Sequence, residues 1–334
     1  MNNTPKKTLL LLCVVLVLTM LAALGMGSYQ LSMLQVVQTI DSFWHSVEGI
    51  DDTMRSVVLN VRLPRVILAV VAGAGLAVAG AAFQALFSNP LATPDTLGVA
   101  TGAAFGAVLG ILFGVEGFGI QLTSLAMGLA AVFLVYSVSR VRGSSSILML
   151  ILSGLVIAAL FSALISLVKY AADPQDVLPS ITFWMMGTLT GASLDTLSLG
   201  LPFIVLGSGL LYLLRWKLNA LSLPEDEAKS LGIPLARLRL LVILSGTMIT
   251  ASVVSMCGLI GWVGLLIPHF ARLVFGNNNV AVIPASLVLG SLFVLIADTI
   301  ARCATEMEIP VSILTAVIGA PVFILLLRRS GGIR

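Results

Sequence analysis

Apolar residues in this chain run together instead of alternating with polar ones. Ten such runs lie at roughly 8–27, 64–86, 97–114, 119–139, 147–168, 196–214, 238–257, 259–275, 280–301 and 310–327. Each comes near the ~20 residues that an α-helix needs to cross a hydrocarbon core about 30 Å thick. Charged residues and Pro/Gly pairs fall between the runs. The pattern predicts an all-α polytopic membrane protein of about ten transmembrane helices, with residues 1–334 forming a single transmembrane domain. The seventh and eighth runs are parted only by Cys257–Gly258, so one long kinked helix is the alternative there; Gly258, Gly261 and Gly264 suit a turn or a distorted start.

Composition agrees: 58% of residues are hydrophobic and 10% charged, against about a quarter charged in soluble domains. Cys13, Cys257 and Cys303 are scattered and form no CxxC pair or Cys/His cluster, so they read as packing residues and no metal site is expected. The net charge of +3 is too small to point to nucleic acid. Lys6 and Lys7 before Thr8–Gly27 have the look of a signal peptide, but the apolar run is long and many spans follow, so it reads as an uncleaved first span.

The basic residues orient the spans. With the N-terminus cytoplasmic, Lys6, Lys7, Arg140, Arg142, Arg215, Lys217, Lys229, Arg237, Arg239, Arg272, Arg328, Arg329 and Arg334 lie inside, while Arg55, Arg62, Arg65, Lys169 and Arg302 lie outside, a split of 13 to 5. Both termini are then cytoplasmic. Nearly every charge sits at a span edge or in a loop, with Asp298 the main exception. A proton-driven carrier needs ionisable groups at mid-membrane, and no such relay is visible. A GxxxxGK[ST] phosphate loop is also missing from the sequence. The two histidines, His45 and His269, fall on opposite sides, which argues against a membrane enzyme; His269 reads as a hydrogen-bonded structural residue.

Gly98, Gly102, Gly106 and Gly110 recur every four residues in the third span, as a close-packing face. Arg62–Arg65 (RLPR) opens the second span, with Pro64 placed where a first helical turn tolerates it. With Arg302 these cations break the positive-inside trend; they anchor to lipid headgroups or meet a shared acidic partner outside. The longest cytoplasmic loop, about 216–237, carries Pro224, Glu225, Asp226 and Glu227 at a helix start and Leu231–Gly232 at its end, a docking surface or an ordinary solvated connection. Ser144, Ser145 and Ser146 cap the fifth span. Trp184 reads as a membrane-interface belt residue.

Taken together, RLPRVILAVVAGAGLAVAGAAFQALFSNPLATPDTLGVATGA (62–103), FWMMGTL (183–189), LPEDEAKSLGI (223–233), GLIGWVGLLIPHFARL (258–273), ADTIAR (297–302) and IPVSILTAVIGAPVFILLL (309–327) resemble the FecCD-type permeases over essentially the whole chain. These are the membrane subunits of type II ABC importers for iron-siderophores, haem and vitamin B12. The resemblance implies ten transmembrane helices, a second permease subunit (a homodimer), two cytoplasmic ATPases that bind ATP and Mg, and an extracytoplasmic substrate-binding protein. It implies no cofactor on this chain, no catalytic residue and a place in the cytoplasmic (inner) membrane. By the same resemblance Glu225, Asp226, Glu227, Ala228, Leu231 and Gly232 form the ATPase-coupling helix, and Arg62, Arg65 and Arg302 meet acids of the binding protein. An inner gate falls near Ser145 and Ser146. Pro224 stands where the family commonly has Gly. Ferric siderophore is the commonest cargo of the family; haem, cobalamin and oxyanions such as molybdate also occur. A secondary transporter is the rival class.

Overall fold

The computed structural model describes residues 4–27, 29–42, 50–140, 147–223, 225–305 and 308–329. Among them every regular element is a helix. Helix α1 spans Thr4–Gly25 and α2 Met33–Asp41. A reciprocal cap starts α2: Ser32 Oγ accepts from Gln35 N at 3.3 Å, and Gln35 Oε1 accepts from Ser32 N at 2.8 Å. Helix α3 (Asp52–Ser56) is capped by Asp51 and runs through a π-helical turn, Val57–Arg62, into α4 (Leu63–Leu86). The second predicted span is thus the far part of a continuous helix of 35 residues. The wider π turn sits where the Pro64 ring would crowd the carbonyl four residues back in a regular α-helix.

The remaining helices are α5 (Val99–Leu112), α6 (Phe118–Ser139), α7 (Ile147–Ala171), α8 (Val177–Met185), α9 (Leu194–Leu214), α10 (Glu225–Ser230), α11 (Leu235–Cys257), α12 (Val263–Phe275), α13 (Asn279–Cys303) and α14 (Val311–Arg329). All ten apolar runs are therefore helical. Seven of the helices are long and apolar enough to cross a bilayer unaided, and three apolar ones are shorter.

Two of the short ones, α5 and α12, rise only about 20 Å, and each follows a break. Before α5 the chain makes a 3-10 turn, Pro94–Leu97, closed by Gly98 with φ 67°. Between α11 and α12 it unwinds over Gly258–Trp262, with Gly258 at φ 69° and Trp262 at φ 70°. The long-kinked-helix alternative is not what forms: two helices do, and the second starts at Val263 instead of 259.

Helix α4 is the axis of the bundle, in contact with α13, α9, α11 and α12. In its most apolar stretch 78% of residues are buried, against 11% in α1, which lies at the periphery. The α4–α13 approach is closest at Gly73 and Gly290, where a Cβ on Gly290 would sit 2.3 Å from the Gly73 carbonyl oxygen. Between membrane helices, where lipid tails remove the hydrophobic drive to associate, such backbone proximity and the dispersion it permits hold the pair together.

Candidate functional site

The charged residues gather at the two ends of the bundle. At one end, where α4 begins and α13 finishes, Arg65 forms a buried two-carboxylate cluster. Its Nε lies 3.0 and 3.1 Å from the Asp298 oxygens and its Nη2 2.9 Å from Asp298 Oδ1. Its Nη1 reaches both Glu308 oxygens at 2.9 and 2.8 Å. Thr190 Oγ1 donates to Glu308 Oε2 at 3.0 Å, joining the α8–α9 connection to the cluster. Arg302 reaches Asp298 Oδ2 at 4.0 Å.

The other two guanidiniums close off α1. Arg62 Nη1 donates to the carbonyls of Leu24 and Gly25 at 2.8 and 3.1 Å, and its Nη2 to that of Tyr29. Arg302 Nη2 donates to the Ala23 carbonyl. The last carbonyls of a helix have no partner within it and carry its negative dipole end, so two cations there satisfy both needs. Peripheral α1 is thereby fastened to α4 and α13.

Arg62, Arg65 and Arg302 are therefore turned inward in this state and do not project from the surface as free cations. Arg62 and Arg65, though three residues apart, serve different neighbours: α1 and α13. Asp298, the main exception among the span charges, is fully buried. A buried carboxylate requires a close cation to offset lost hydration, and Arg65 supplies it. Asp298 and Glu308 were missed as partners. The four-residue spacing of Asp298 and Arg302 was the available signal, since such residues face one another on a helix.

At the opposite end, a 3-10 turn at Lys217–Ser222 leads into α10. Asp226, Glu227 and Leu231 are exposed, Leu231 by 63%, while Ala228 is buried. The Glu225 backbone begins the helix. Gly232, at φ 70°, ends it, with Ile233 N donating to Ala228 O at 3.3 Å, a glycine C-terminal motif. The loop is tied to the core through Asn219, which bonds Asn278 Oδ1 and Asn279 N, each at 2.9 Å, at the start of α13. Ser88 Oγ, just beyond α4, donates to Leu221 O at 3.4 Å. Ser144, Ser145, Ser146 and Pro224 lie outside the described residues, as does His45.

Between the ends, a Cβ on Gly102, Gly106 or Gly110 would meet α6 first, on Gly106 at 2.3 Å from Thr123 O. Gly98 does not share that face. It precedes α5 and lies against Ala158 of α7. A cavity of about 270 Å³ separates the two chain breaks, lined by Thr93, Asp95, Thr250 and Trp262 among others. Trp184 is partly buried, one side packed against the core, and the assignment of His269 changes. His269 packs edge-on against Phe323, ring centres 5.9 Å apart, and its Nε2 has no hydrogen-bond partner among the described residues.

Comparison with known proteins accounts for the whole chain. The molybdate import system permease protein MolB of Haemophilus influenzae is 42% identical over 328 residues, 97% of each chain. A protein of Helicobacter pylori named as a probable iron chelatin transport system permease protein is 39% identical over 277 residues, 83% of this chain and 84% of the relative. A chain from an inward-facing metal-chelate type ABC transporter structure superposes with a TM-score of 0.86 at 40% identity, covering 97% of this chain and 99% of its own. The profile of the FecCD transport family matches residues 14–329, and the chain belongs to that family of ABC transporter membrane permeases.

Proposed function

We propose that the chain is the translocating subunit of an ATP-driven importer, working as a homodimer in the cytoplasmic membrane with both termini inside. Partner ATPases bind and hydrolyse ATP with Mg beneath it, and a binding protein delivers cargo from outside. The observation that carries this reading is the α10 surface: exposed Asp226, Glu227 and Leu231 beside a buried Ala228, on a loop bonded to the start of α13. Force applied to α10 reaches α13 through Asn219, and α13 carries it to the arginine end 25 residues away. Glu225, Asp226, Glu227, Ala228, Leu231 and Gly232 are the coupling segment, and Ser145–Ser146 is assigned to the inner gate.

Arg62, Arg65 and Arg302 would lie outside in this orientation. For the binding protein's acids to reach Arg65, they must displace Glu308, the partly exposed member of the cluster, while Asp298 stays in place. Docking is thus an exchange of one carboxylate for another, which costs less than creating a new buried pair.

The cargo is a metal-bearing solute. Ferric siderophore is the reading drawn from the family; molybdate is the second, supported by a full-length relative of that name at 42% identity. Uptake by proteoliposomes holding permease, ATPase and binding protein tests the class: uptake without ATP would overturn it. Titrating the binding protein with ferric siderophore and with molybdate decides the cargo. Glu substitutions of Arg62, Arg65 and Arg302 test docking, and undiminished binding-protein affinity at low salt would remove that role.

A further inference from the structure

A cleft of about 740 Å³ opens between the ends of α1 and α13, lined in part by Met26, Gln30, Leu31, Met33, Arg302 and Thr305. The Arg302 side chain is only 7% exposed. Its Nε has no hydrogen-bond partner among the described residues and faces Asp298 from 4.0 Å. Arg62 adjoins the same space: a Cβ on Gly27, which lines the cleft, would touch its Nη2 at 2.8 Å. Arg62, Arg65 and Arg302 stand against Asp298 and Glu308 here, one positive charge in excess among the described residues. Arg302 shares Asp298 with Arg65, and a cluster with a cation in excess at low exposure favours a further anion beside it.

The surroundings say which kind. Helix α1 is the peripheral helix, with 11% of its apolar stretch buried, so its side of the cleft faces lipid. Beyond it α2 holds Val36 and Thr39 inward and leaves Met33, Leu34 and Val37 exposed by 51%, 67% and 52%. A short helix with an apolar face outward at the end of a membrane span lies in the interfacial plane. We infer that this cleft holds the phosphodiester of a phospholipid headgroup against Arg302, with acyl chain laid along Met26, Leu31 and the exposed face of α2. The cation fastens α1, and the lipid completes its charge balance.

The test is native mass spectrometry of the purified transporter released from phosphatidylcholine nanodiscs containing phosphatidylglycerol. The wild type is expected to retain phosphatidylglycerol, and Arg302→Gln to retain about tenfold less, the size of one charge-assisted hydrogen bond. Because Arg302→Gln also loosens α1, Ala304→Trp is the second variant: it fills the cleft from its lining residue and keeps every guanidinium bond. Equal retention by Ala304→Trp and wild type overturns the inference. So does displacement of the lipid by inorganic phosphate with the same Arg302 dependence, which would assign the site to a free anion. ATP-driven uptake is read separately, so failure here leaves the transport reading standing.

Discussion

The two ends of the bundle handle charge in opposite ways. At the arginine end three guanidiniums and two carboxylates fold inward, and the most buried of them, Asp298, is fully enclosed. At the loop end Asp226 and Glu227 face out, and the loop's own ties to the core are neutral amide and hydroxyl contacts, made beside the Arg272 guanidinium, which itself donates to Asn279 Oδ1 at 3.3 Å and bonds no carboxylate among the described residues. Buried ion pairs are stiff, because losing one partner strands a charge. Neutral hydrogen bonds each contribute little, about 1 kcal/mol. One end is built to hold, the other to be pushed.

The sharpest break of this contrast is Asp298→Ala, which takes the buried carboxylate from both Arg65 and Arg302 and leaves Arg65 only the partly exposed Glu308. It should cost about 3–5 kcal/mol, read as a large fall in the melting temperature of the detergent-solubilised permease. Arg65→Met together with Asp298→Leu should recover part of the loss, since an apolar pair replaces the most buried ions, while Glu308 and Arg302 still lose a partner. If the double variant melts as low as the single one, the cluster is not a fastener of this kind. Raising salt should scarcely move either melting point, because the pair is shielded from the ion atmosphere.

A middle-sized effect belongs to the shaft joining the ends. Gly290→Ala places a methyl 2.3 Å from the Gly73 carbonyl oxygen and 2.5 Å from the Ala77 methyl, so α4 and α13 must part. Overpacking of this kind costs about 1–3 kcal/mol. Uptake should fall further than stability does, because α13 links the two ends. A variant with normal uptake would mean that movement between the ends does not travel along this contact. Smaller again is Asn219→Ala, which removes the loop's bonds to Asn278 and Asn279 for about 1 kcal/mol each. ATPase activity should persist while uptake per ATP declines.

The helices were legible because apolar runs of span length have few alternative fates, and all ten are helical. Their true starts were less so. Gly98 fits a four-residue repeat by number, yet at φ 67° it ends a 3-10 turn, and the repeat cannot show that the helix begins one residue later. The unwinding at Gly258–Trp262 was signalled by its glycines, but not by Trp262, whose φ of 70° is uncommon for a side chain of that bulk. The charge cluster was least legible. Position along the chain sorts Arg62, Arg65, Arg302 and Asp298 by end, and only the packing of α13 on α4 brings 65 and 298 together. Charge counting orients a helix; it does not say whether a guanidinium turns toward water or toward its neighbour.

The smallest structural effect should carry one of the larger functional ones. Asp226→Ala with Glu227→Ala removes two exposed charges whose side chains face solvent, and surface changes of that sort usually stay within about 0.5 kcal/mol. The melting temperature should not move, and Gly232 still ends α10 with its backbone bond intact. If α10 is the surface through which the ATPase acts, uptake per ATP hydrolysed should nevertheless collapse. A second pair, Asp51→Ala with Asp52→Ala at the arginine end, is a useful contrast. Asp51 caps α3 by accepting from Met54 N at 2.6 Å, and loss of such a cap costs about 1 kcal/mol. That variant should lose stability and keep its coupling ratio, the reverse of the first pair. Were both pairs to lower stability and coupling together, the division into a holding end and a pushed end would fail, and the bundle would have to be treated as one elastic body.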